Sequence, residues 1–540
     1  MRPSSFAALA FIVLVLACGP GGGQPSGSSG SDAPAPRYGG VLQVPVNSDI
    51  DDMDITLGAS LGAGEQGVAE AYNSLLGFKA GPGIDYNELT LRPELAERWE
   101  VSSDARRFTF YLRKGVKFAD LPPVNGRELT SGDVKWSIEY VSRTGWAQEK
   151  KLRSSNIAWM YEGLDRVETT DATTVVVRFT EPFAPFLSYA ASDFNAVLAR
   201  EVYEQDGHLS DRMVGTGPFQ LDAGASQKGT RWVFKRHPRY WEQERPYLDE
   251  LRMLVLTNDA AMMAAFQARQ LDVLTGRITT QQAEDLKKAL ADVPGMEFLA
   301  PAPLVLFMNQ GKPPLSDFKL RKAVALAVDP DEFVKVVFGG KGGWAMPGAF
   351  HEHFSQEEIR QIQRRDLEEA KRLVREAGFP NGIELEFMYN PGQNAAYQTS
   401  MELLQAQLRK VGINLALKVA ESNSVSGQRR RSGDYQLNSL FSSNDEVDAF
   451  LTRFLPGSKT NYIFQNDPKL TELILAQRRE GDVAKRRELV RQAARYIYDN
   501  AYALTLVRGV DYEFWQPALK AYAPNYGNKA WPLAHSWLER

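Results

Sequence analysis

The stretch LGASLGAGEQG, residues 57–67, carries two overlapping motifs that could do chemistry. Residues 58–62 fit G-x-S-x-G, the sharp turn in which Ser60 would be the nucleophile of a serine hydrolase. Residues 62–67 fit G-x-G-x-x-G, in which glycines let the backbone approach the pyrophosphate of a dinucleotide. A third interpretation is a loop that presents bare backbone to a bound solute.

The elements around these glycines help to separate the interpretations. Both catalytic motifs need a strand that leads directly into the turn and a helix that follows it. Residues 41–46 (VLQVPV) are predicted to form a strand, but the polar loop 47–54 separates this strand from the glycines. A hydrolase would also need a histidine from the set His208, His237, His351, His353 and His535. The context favours a loop that lines a ligand cleft, and an enzyme, either a hydrolase or a dehydrogenase, is the alternative.

His351 and His353 raise the question of a metal site, since only Glu352 separates them in the sequence HEH. Two histidines do not complete a site, and the H-E-x-x-H helix pattern and a cysteine ligand are both missing from this region. The pattern favours a solvated loop before a helix that begins near Ser355. We therefore predict no metal and no cofactor.

The periodicity of the sequence predicts a mixed α/β protein. Asp366 is a candidate helix cap with Glu369 three residues on, and Gly378 ends the apolar stripe that follows. A strand, a helix and a second strand in succession predict a parallel pair of strands. The segments are a helix at 68–76, a strand at 173–179, a strand at 383–387, a helix at 395–412 and a strand at 413–419.

The N-terminus has the features of an export signal. Arg2 precedes an apolar run, residues 6–16, which is too short to span a bilayer, and the chain's single cysteine, Cys18, follows. This arrangement resembles a bacterial lipoprotein signal, with residues 1–17 removed and Cys18 lipidated. Residues 19–36 are rich in Gly, Ser and Pro and are predicted to form a flexible tether. The alternative is an ordinary signal peptide with an incidental cysteine.

Composition narrows the class of protein further. The chain has 540 residues, of which 43% are hydrophobic and 24% charged, which is typical of a soluble globular protein with two or three domains. The net charge of −4 gives no reason to expect a nucleic acid or an anionic membrane as partner. Residues 19–540 contain no cysteine, so this part of the chain cannot form disulfides.

Ten short motifs, in order along residues 38–525, resemble those of the family 5 extracellular solute-binding proteins, the peptide- and nickel-type receptors of ABC importers. Residues 119–126 depart from the family pattern, which has a shorter turn there. The motifs are LAERWE (95–100), LRKGVKF (112–118), TSGDV (130–134), EPFAPF (181–186), GTGPF (215–219), PRYW (238–241), YLDEL (247–251), RKAVALAVD (321–329), EAGFP (376–380) and LRKVGI (408–413).

The resemblance implies a periplasmic binding protein-like fold of class II, with two lobes, a hinge between them and an extra domain inserted in lobe I. Residues 215–218 (GTGP) resemble the turn that re-enters lobe I, where glycines permit unusual backbone angles. The implied segments are the signal peptide at 1–17, the lipidated cysteine and tether at 18–37, lobe I at 38–80, 212–302 and 508–540, the inserted domain at 81–211 and lobe II at 303–507.

The resemblance also implies a set of ligand contacts. Asp445 aligns with an acid that pairs with the α-ammonium of a peptide, although Ser442 and Ser439 stand where relatives often have an aromatic and a basic residue. Arg430 aligns with a position that can meet a ligand carboxylate. Ser60, Leu61 and Gly62 align with a segment that offers backbone to the ligand, and the aromatic candidates for the cleft are Trp146, Trp159, Tyr161 and Trp344.

The function implied is that of an extracytoplasmic lipoprotein that captures a peptide or peptide-like solute by closure of its lobes. It would act as a monomer and deliver the solute to ABC permease subunits. Because G-x-x-x-x-G-K-[ST] is missing from the sequence, a separate subunit would hydrolyse ATP. The alternative within the same fold is a ligand-binding sensor or scaffold without transport.

Overall fold

The computed structural model describes residues 35–57, 63–153, 155–276, 278–346, 353–389, 395–420, 423–441, 446–458 and 460–539. Residues 37–540 belong to one compact unit. The predicted signal peptide and Cys18 lie outside the described residues, as do Ser60, Leu61, Gly62 and Asp445. No helix in the described ranges is long and apolar enough to cross a membrane.

Short strands occur along the whole described chain. In chain order they are β1 Val41–Val46, β2 Leu76–Phe78, β3 Leu91–Pro93, β4 Ala96–Val101, β5 Arg107–Leu112, β6 Leu164–Asp171, β7 Thr174–Phe179, β8 Phe219–Leu221, β9 Arg231–Arg236, β10 Glu250–Val255, β11 Val273–Leu274, β12 Gly295–Leu299, β13 Leu304–Met308, β14 Ile383–Tyr389, β15 Ile413–Val419, β16 Leu437–Phe441, β17 Ala503–Val507, β18 Val510–Trp515, β19 Leu519–Lys520 and β20 Trp537–Leu538.

Helices alternate with these strands. In chain order they are α1 Ala63–Ala71, α2 Ser131–Ser142, α3 Gly145–Glu149, α4 Phe186–Tyr189, α5 Arg200–Asp206, α6 Asp259–Gln267, α7 Thr280–Ala289, α8 Phe318–Ala327, α9 Pro330–Val337, α10 Gln356–Ile362, α11 Leu367–Glu376, α12 Ala395–Arg409, α13 Asn423–Ser432, α14 Val447–Leu451, α15 Pro468–Arg479, α16 Val483–Asp499 and α17 Ala530–His535.

Lobe I, as named here, holds the sheets that pack on the first large hydrophobic core. One sheet has the order β1-β10-β9-β8, with β1 parallel to β10, and a second, antiparallel sheet has the order β4-β5-β7-β6. Side chains of both sheets, such as Leu42 and Phe110, belong to the same core. A third sheet, β11-β18-β12, packs its Tyr512 and Phe514 with the side chains of α6 and α7.

Lobe II, as named here, is built on the second large core. Its five-stranded sheet has the order β15-β14-β16-β13-β17, and β14 runs parallel to β15 as predicted. Before α11, the side chain of Asp366 accepts a hydrogen bond from the backbone N–H of Glu369 at 3.0 Å, which confirms the predicted cap. The buried face of α11, with Ala370, Leu373 and Val374, then packs into this core.

Two crossovers join the lobes and lie side by side. Residues 300–303 connect β12 to β13, and residues 508–509 connect β17 to β18. The N–H of Ala300 donates to the carbonyl oxygen of Gly509 at 3.0 Å, and Nε of Arg508 donates to that of Ala300 at 2.6 Å. Gly509 is required by close approach, because a Cβ there would lie 2.2 Å from the ring of Phe338.

Two sequence predictions for lobe I differ from the structure. The predicted helix 68–76 is instead α1, which ends at Ala71, and Leu76 opens β2, because Asn73 and Ser74 bond to residues far along the chain rather than to a helix. The second prediction concerns the turn at residues 215–218, where glycine was expected because of unusual backbone angles. Neither Gly215 nor Gly217 has a positive φ. A Cβ on Gly217 would lie 2.4 Å from the carbonyl oxygen of Glu70, so the turn needs glycine for close packing against α1.

Candidate ligand-binding site

A cavity of about 280 Å³ lies where the two lobes meet, next to the crossovers. Both lobes and the strand that leaves the second crossover contribute to its wall. The wall includes Tyr86 and Phe298 from lobe I, Asp511 and Glu513 from β18, and Phe338 and Phe441 from lobe II. A solute in this cavity would therefore touch both lobes at once.

Two carboxylates on β18 face this cavity. Side chains alternate along a strand, so Asp511 and Glu513 share one face while Tyr512 and Phe514 pack into the core on the other. Burial raises the pKa of Glu513 from 4.5 to about 7, an effect that the Tyr522 hydroxyl partly offsets by donating a hydrogen bond to Oε1. Burial also raises the pKa of Asp511 to about 6, against the opposing charge of Arg508.

Aromatic rings flank the carboxylates. Phe298 is the register partner of Asp511 on the neighbouring strand β12, which places the two side chains on the same face. The ring of Tyr86 stacks on that of Phe298 with centroids 3.6 Å apart, and Phe441 approaches from lobe II. The arrangement is an apolar, aromatic enclosure with negative charge on one side.

A second cavity of about 250 Å³ adjoins the first and shares Tyr86 and Glu513 with it. Its wall includes the end of β1 at Val46 and also Gln66 in α1. Residues 60–62, predicted to line the cleft, lie outside the described residues between these two wall positions along the chain. Their ligand role stays a prediction.

Two buried ion pairs of lobe II lie just after the undescribed residues 442–445. Strand β16 ends at Phe441, and after the undescribed residues 442–445 the chain is held by two buried ion pairs. Glu446 pairs with Arg486, and Asp448 pairs with Arg478 through Nε at 2.8 Å. The residue after Asp445 is therefore anchored firmly in lobe II.

Arg430, the predicted carboxylate partner, lies in α13 of lobe II. One of its terminal nitrogens donates to Oδ1 of Asn438 at 2.9 Å, and its guanidinium lies 5.4 Å from the ring centre of Tyr462. Burial lowers its pKa. Arg430 does not line either of the two interlobe cavities, so its contact with a ligand carboxylate remains a prediction.

A separate set of contacts joins lobe II to the 81–211 segment. The hydroxyl of Tyr189 donates to Oδ2 of Asp448 at 3.1 Å, and Arg478 pairs with Glu162 at 2.9 Å. The N–H of Ala184 donates to the carbonyl oxygen of Arg478 at 2.7 Å. Because Asp448 is 0% exposed, this contact is a desolvated one. We call these five residues the interlobe contact.

The predicted cleft aromatics pack elsewhere. Trp146 lies 5.1 Å from Tyr203, centre to centre, within an aromatic cluster of lobe I, and Trp159 stands edge-on to Tyr189. Tyr161 and Trp344 are buried, the first in the core of lobe I and the second in that of lobe II. None of these four predicted side chains lines the two cavities described above.

Trp344 has a structural partner that explains its burial. Its Nε1 donates to Oδ1 of Asp331 at 2.7 Å, which satisfies the one polar atom of the ring. His353 lines a third cavity, of about 430 Å³, between the 81–211 segment and lobe II, and His351 lies outside the described residues. No group of three His, Cys, Asp or Glu side chains in the described ranges is placed to hold a metal ion.

Sequence reasoning missed the acids of β18 and the interlobe contact. In VDYEFW (510–515), two acids alternate with apolar residues, which is a signal for a strand with one polar face. That pattern does not tell whether the polar face meets solvent or a cavity. Tyr189 and Asp448 are 259 residues apart in sequence, and no local signal connects them.

Comparison with known proteins gives consistent results. Residues 90–462 match the model described as bacterial extracellular solute-binding proteins, family 5 middle. The chain is 29% identical to the dipeptide-binding protein of Escherichia coli K12 over 477 residues, 84% of this chain and 86% of that protein. It is 27% identical to heme-binding protein A of Haemophilus influenzae over 505 residues, 86% of each.

The fold also matches a solved structure, the ABC transporter-associated periplasmic binding protein DppA from Helicobacter pylori in complex with the peptide STSA. The TM-score is 0.77 with 23% identity, over 93% of this chain and 99% of the other. This confirms the predicted class II periplasmic binding fold with two lobes. The two relatives named above are both described as binding proteins.

Proposed function

The chain belongs to family 5 of the bacterial extracellular solute-binding proteins, and we propose that it captures a peptide or peptide-like solute for an ABC importer. The observation that carries the proposal is the cavity between the lobes, whose wall combines residues of lobe I, lobe II and β18. Names of relatives such as the dipeptide-binding protein support a peptide as the solute class. We propose no chemical change of the solute.

Closure of the lobes provides the binding mechanism. A solute in the cavity touches Tyr86 in lobe I and Phe441 in lobe II, contacts that it cannot make together when the lobes are apart. The interlobe contact of Tyr189, Asp448 and Arg478 likewise forms only when the lobes meet. Binding therefore shifts the equilibrium toward the closed form by the free energy of these additional contacts.

We propose Asp445 as the partner of the peptide α-ammonium and residues 60–62 as backbone partners of the peptide. The buried ion pairs of Glu446 and Asp448 support this, because they would fix the chain next to Asp445. Arg430 is the proposed carboxylate partner. Tyr161 and Trp344 are left out of the proposed contacts because they are core residues with other packing roles.

We further propose that Cys18 carries a lipid and that residues 19–36 tether the two-lobed body to a membrane. The closed form would then dock on permease subunits, with ATP hydrolysed by a separate subunit. Metabolic labelling with a fatty acid tests the anchor, with Cys18→Ser as the matched control. Label that is retained in C18S would contradict lipidation at this residue.

Ligand identification tests the binding proposal directly. The protein, purified without its first 35 residues and without denaturation, should carry a small molecule that native mass spectrometry detects and that unfolding releases. Titration calorimetry with a dipeptide and tripeptide panel should then give at least one saturable ligand. Asp445→Ala should weaken binding of that ligand by about 3–5 kcal/mol, since the buried ammonium of the ligand loses its partner. The absence of binding across the panel would contradict the peptide proposal.

A further inference from the structure

We propose that Asp511 and Glu513 form a cation-binding subsite in the interlobe cavity, which receives a basic group of the solute, either an ammonium or a guanidinium. This inference rests on the proposed function and deepens it, because it states which members of the solute class the cavity prefers. It concerns residues of β18, whereas the α-ammonium partner proposed above is Asp445, which follows β16 in the sequence.

The position of the two acids gives the first argument. They lie two residues apart on one strand, about 7 Å along its axis, and point to the same side. The opposite face of β18 is filled by Tyr512 and Phe514, so the acids cannot turn into that core. Both residues therefore line the cavity between the lobes.

The hydrogen-bonding state of the acids gives the second argument. Glu513 is only 6% exposed, and its Oε1 accepts the Tyr522 hydroxyl while Oε2 has no partner among the described residues. The carboxyl group of Asp511 has no hydrogen bond or ion pair with another described residue either. Arg508, whose charge favours the ionised form of Asp511, donates instead to the carbonyl oxygens of residues 299 and 300.

A buried, ionised carboxylate without a cation beside it is unfavourable in free energy. Removing a carboxylate from water without a compensating partner is unfavourable, and protonation is one way in which a protein relieves that cost. Burial raises the pKa of Asp511 to about 6 and that of Glu513 to about 7 for this reason. A cation from the solute would supply charge-assisted hydrogen bonds to both groups.

The rest of the cavity fits a cation as well. No Lys or Arg among the described residues lines this cavity. The rings of Tyr86, Phe298 and Phe441 surround the space, and aromatic faces attract ammonium and guanidinium groups. Its volume of about 280 Å³ suits one side chain or a small amine rather than a whole oligopeptide.

The test compares two dipeptides of similar size, Ala-Lys and Ala-Leu, by titration calorimetry with the wild-type protein and with the double variant Asp511→Asn, Glu513→Gln. Wild type should bind Ala-Lys at least about tenfold more tightly than Ala-Leu, as expected for a charge-assisted contact. The double variant should lose this preference and keep its affinity for Ala-Leu. Equal wild-type affinities, or a preference that survives in the variant, would overturn the subsite.

Glu297→Gln is the matched control, because Glu297 is on the neighbouring strand β12, next to Tyr512, where it pairs with Lys341. This variant should retain the preference for Ala-Lys. Agmatine is a second probe that needs no variant and no peptide backbone. It should bind the wild-type protein and compete with Ala-Lys more effectively than with Ala-Leu, which decides the question even if the double variant does not fold.

The outcomes separate this inference from the proposed function. Binding of Ala-Leu and Ala-Lys with equal affinity would remove the subsite and leave peptide capture intact. Agmatine binding that depends on Asp511, without binding of any peptide, would keep the subsite and remove peptide capture. Failure of agmatine and of both peptides to bind would contradict both.

Discussion

The interlobe contact allows closure to be perturbed without touching the solute. The hydroxyl of Tyr189, from the 81–211 segment, donates to the buried carboxylate of Asp448 in lobe II at 3.1 Å. Tyr189→Phe removes this one hydrogen bond and keeps the ring, which packs edge-on against Trp159. Asp448 keeps its bonds from Gln477 at 2.6 Å and Arg478 at 2.8 Å, so no buried charge is left alone.

The expected magnitude follows from this geometry. A hydrogen bond to a charged group contributes about 1.5–3 kcal/mol. The lower end applies here because the bond is long and the carboxylate keeps two other partners, which gives about 1.5 kcal/mol or about a tenfold shift toward the open form. If the open form dominates without solute, the apparent Kd of any solute rises about tenfold as well.

Two assays measure this effect. Titration calorimetry gives the Kd of the solute identified by mass spectrometry, and small-angle X-ray scattering gives the radius of gyration of the closed and open forms. Tyr203→Phe is the control, because the ring of Tyr203 packs against rings of its own lobe, such as Trp146. A Kd and a scattering profile of Tyr189→Phe that equal those of the wild type would refute the link between this contact and closure.

Three further predictions concern stability, each measured as the free energy of unfolding in urea. The wild-type value should fall as pH rises from 4.5 to about 7, because folded Glu513 holds its proton more tightly than the unfolded chain does, and Glu513→Gln should flatten this slope. Gly509→Ala should destabilise the protein by about 1–3 kcal/mol, since its Cβ would lie 2.2 Å from a phenylalanine ring at the crossover. Arg478→Met should cost about 3–5 kcal/mol, because it leaves a buried carboxylate partner without its cation.

Two of these changes, Gly509→Ala and Arg478→Met, have a control in the same chain. Gly481→Ala places a Cβ in ordinary contact, with its nearest neighbour at 3.7 Å, and should change the free energy of unfolding little. Arg106→Met breaks an exposed pair with Glu181 and should also have little effect. Equal losses in test and control variants would contradict the roles given to the crossover glycine and the buried pair, and an unchanged pH slope in Glu513→Gln would contradict its raised pKa.

Local sequence signals predicted the regular elements of lobe II well. The cap at Asp366 and the alternation in β14 and β15 depend on neighbouring residues, so the sequence alone was sufficient for them. The predicted helix at 68–76 was wrong because Asn73 and Ser74 make hydrogen bonds with residues 94 and 192, which no local pattern reveals.

The candidate site was harder to predict for the same reason. The sequence VDYEFW indicates a strand with a polar face, but only the packing of lobe II against it turns that face into a cavity wall at Asp511 and Glu513. Trp344 shows a second ambiguity, since an aromatic near a glycine-rich loop suits a cleft and a core equally well. Its hydrogen bond to Asp331 and its burial place it in the core of lobe II.

The central claim is that the two lobes close around a solute and later release it without chemical change. Its most direct test is small-angle scattering of the purified protein, emptied by unfolding and refolding and then titrated with the solute that mass spectrometry identified. The account predicts a saturable decrease in the radius of gyration, with the solute recovered at its original mass. The same radius of gyration at saturation, or a solute of altered mass, would contradict it.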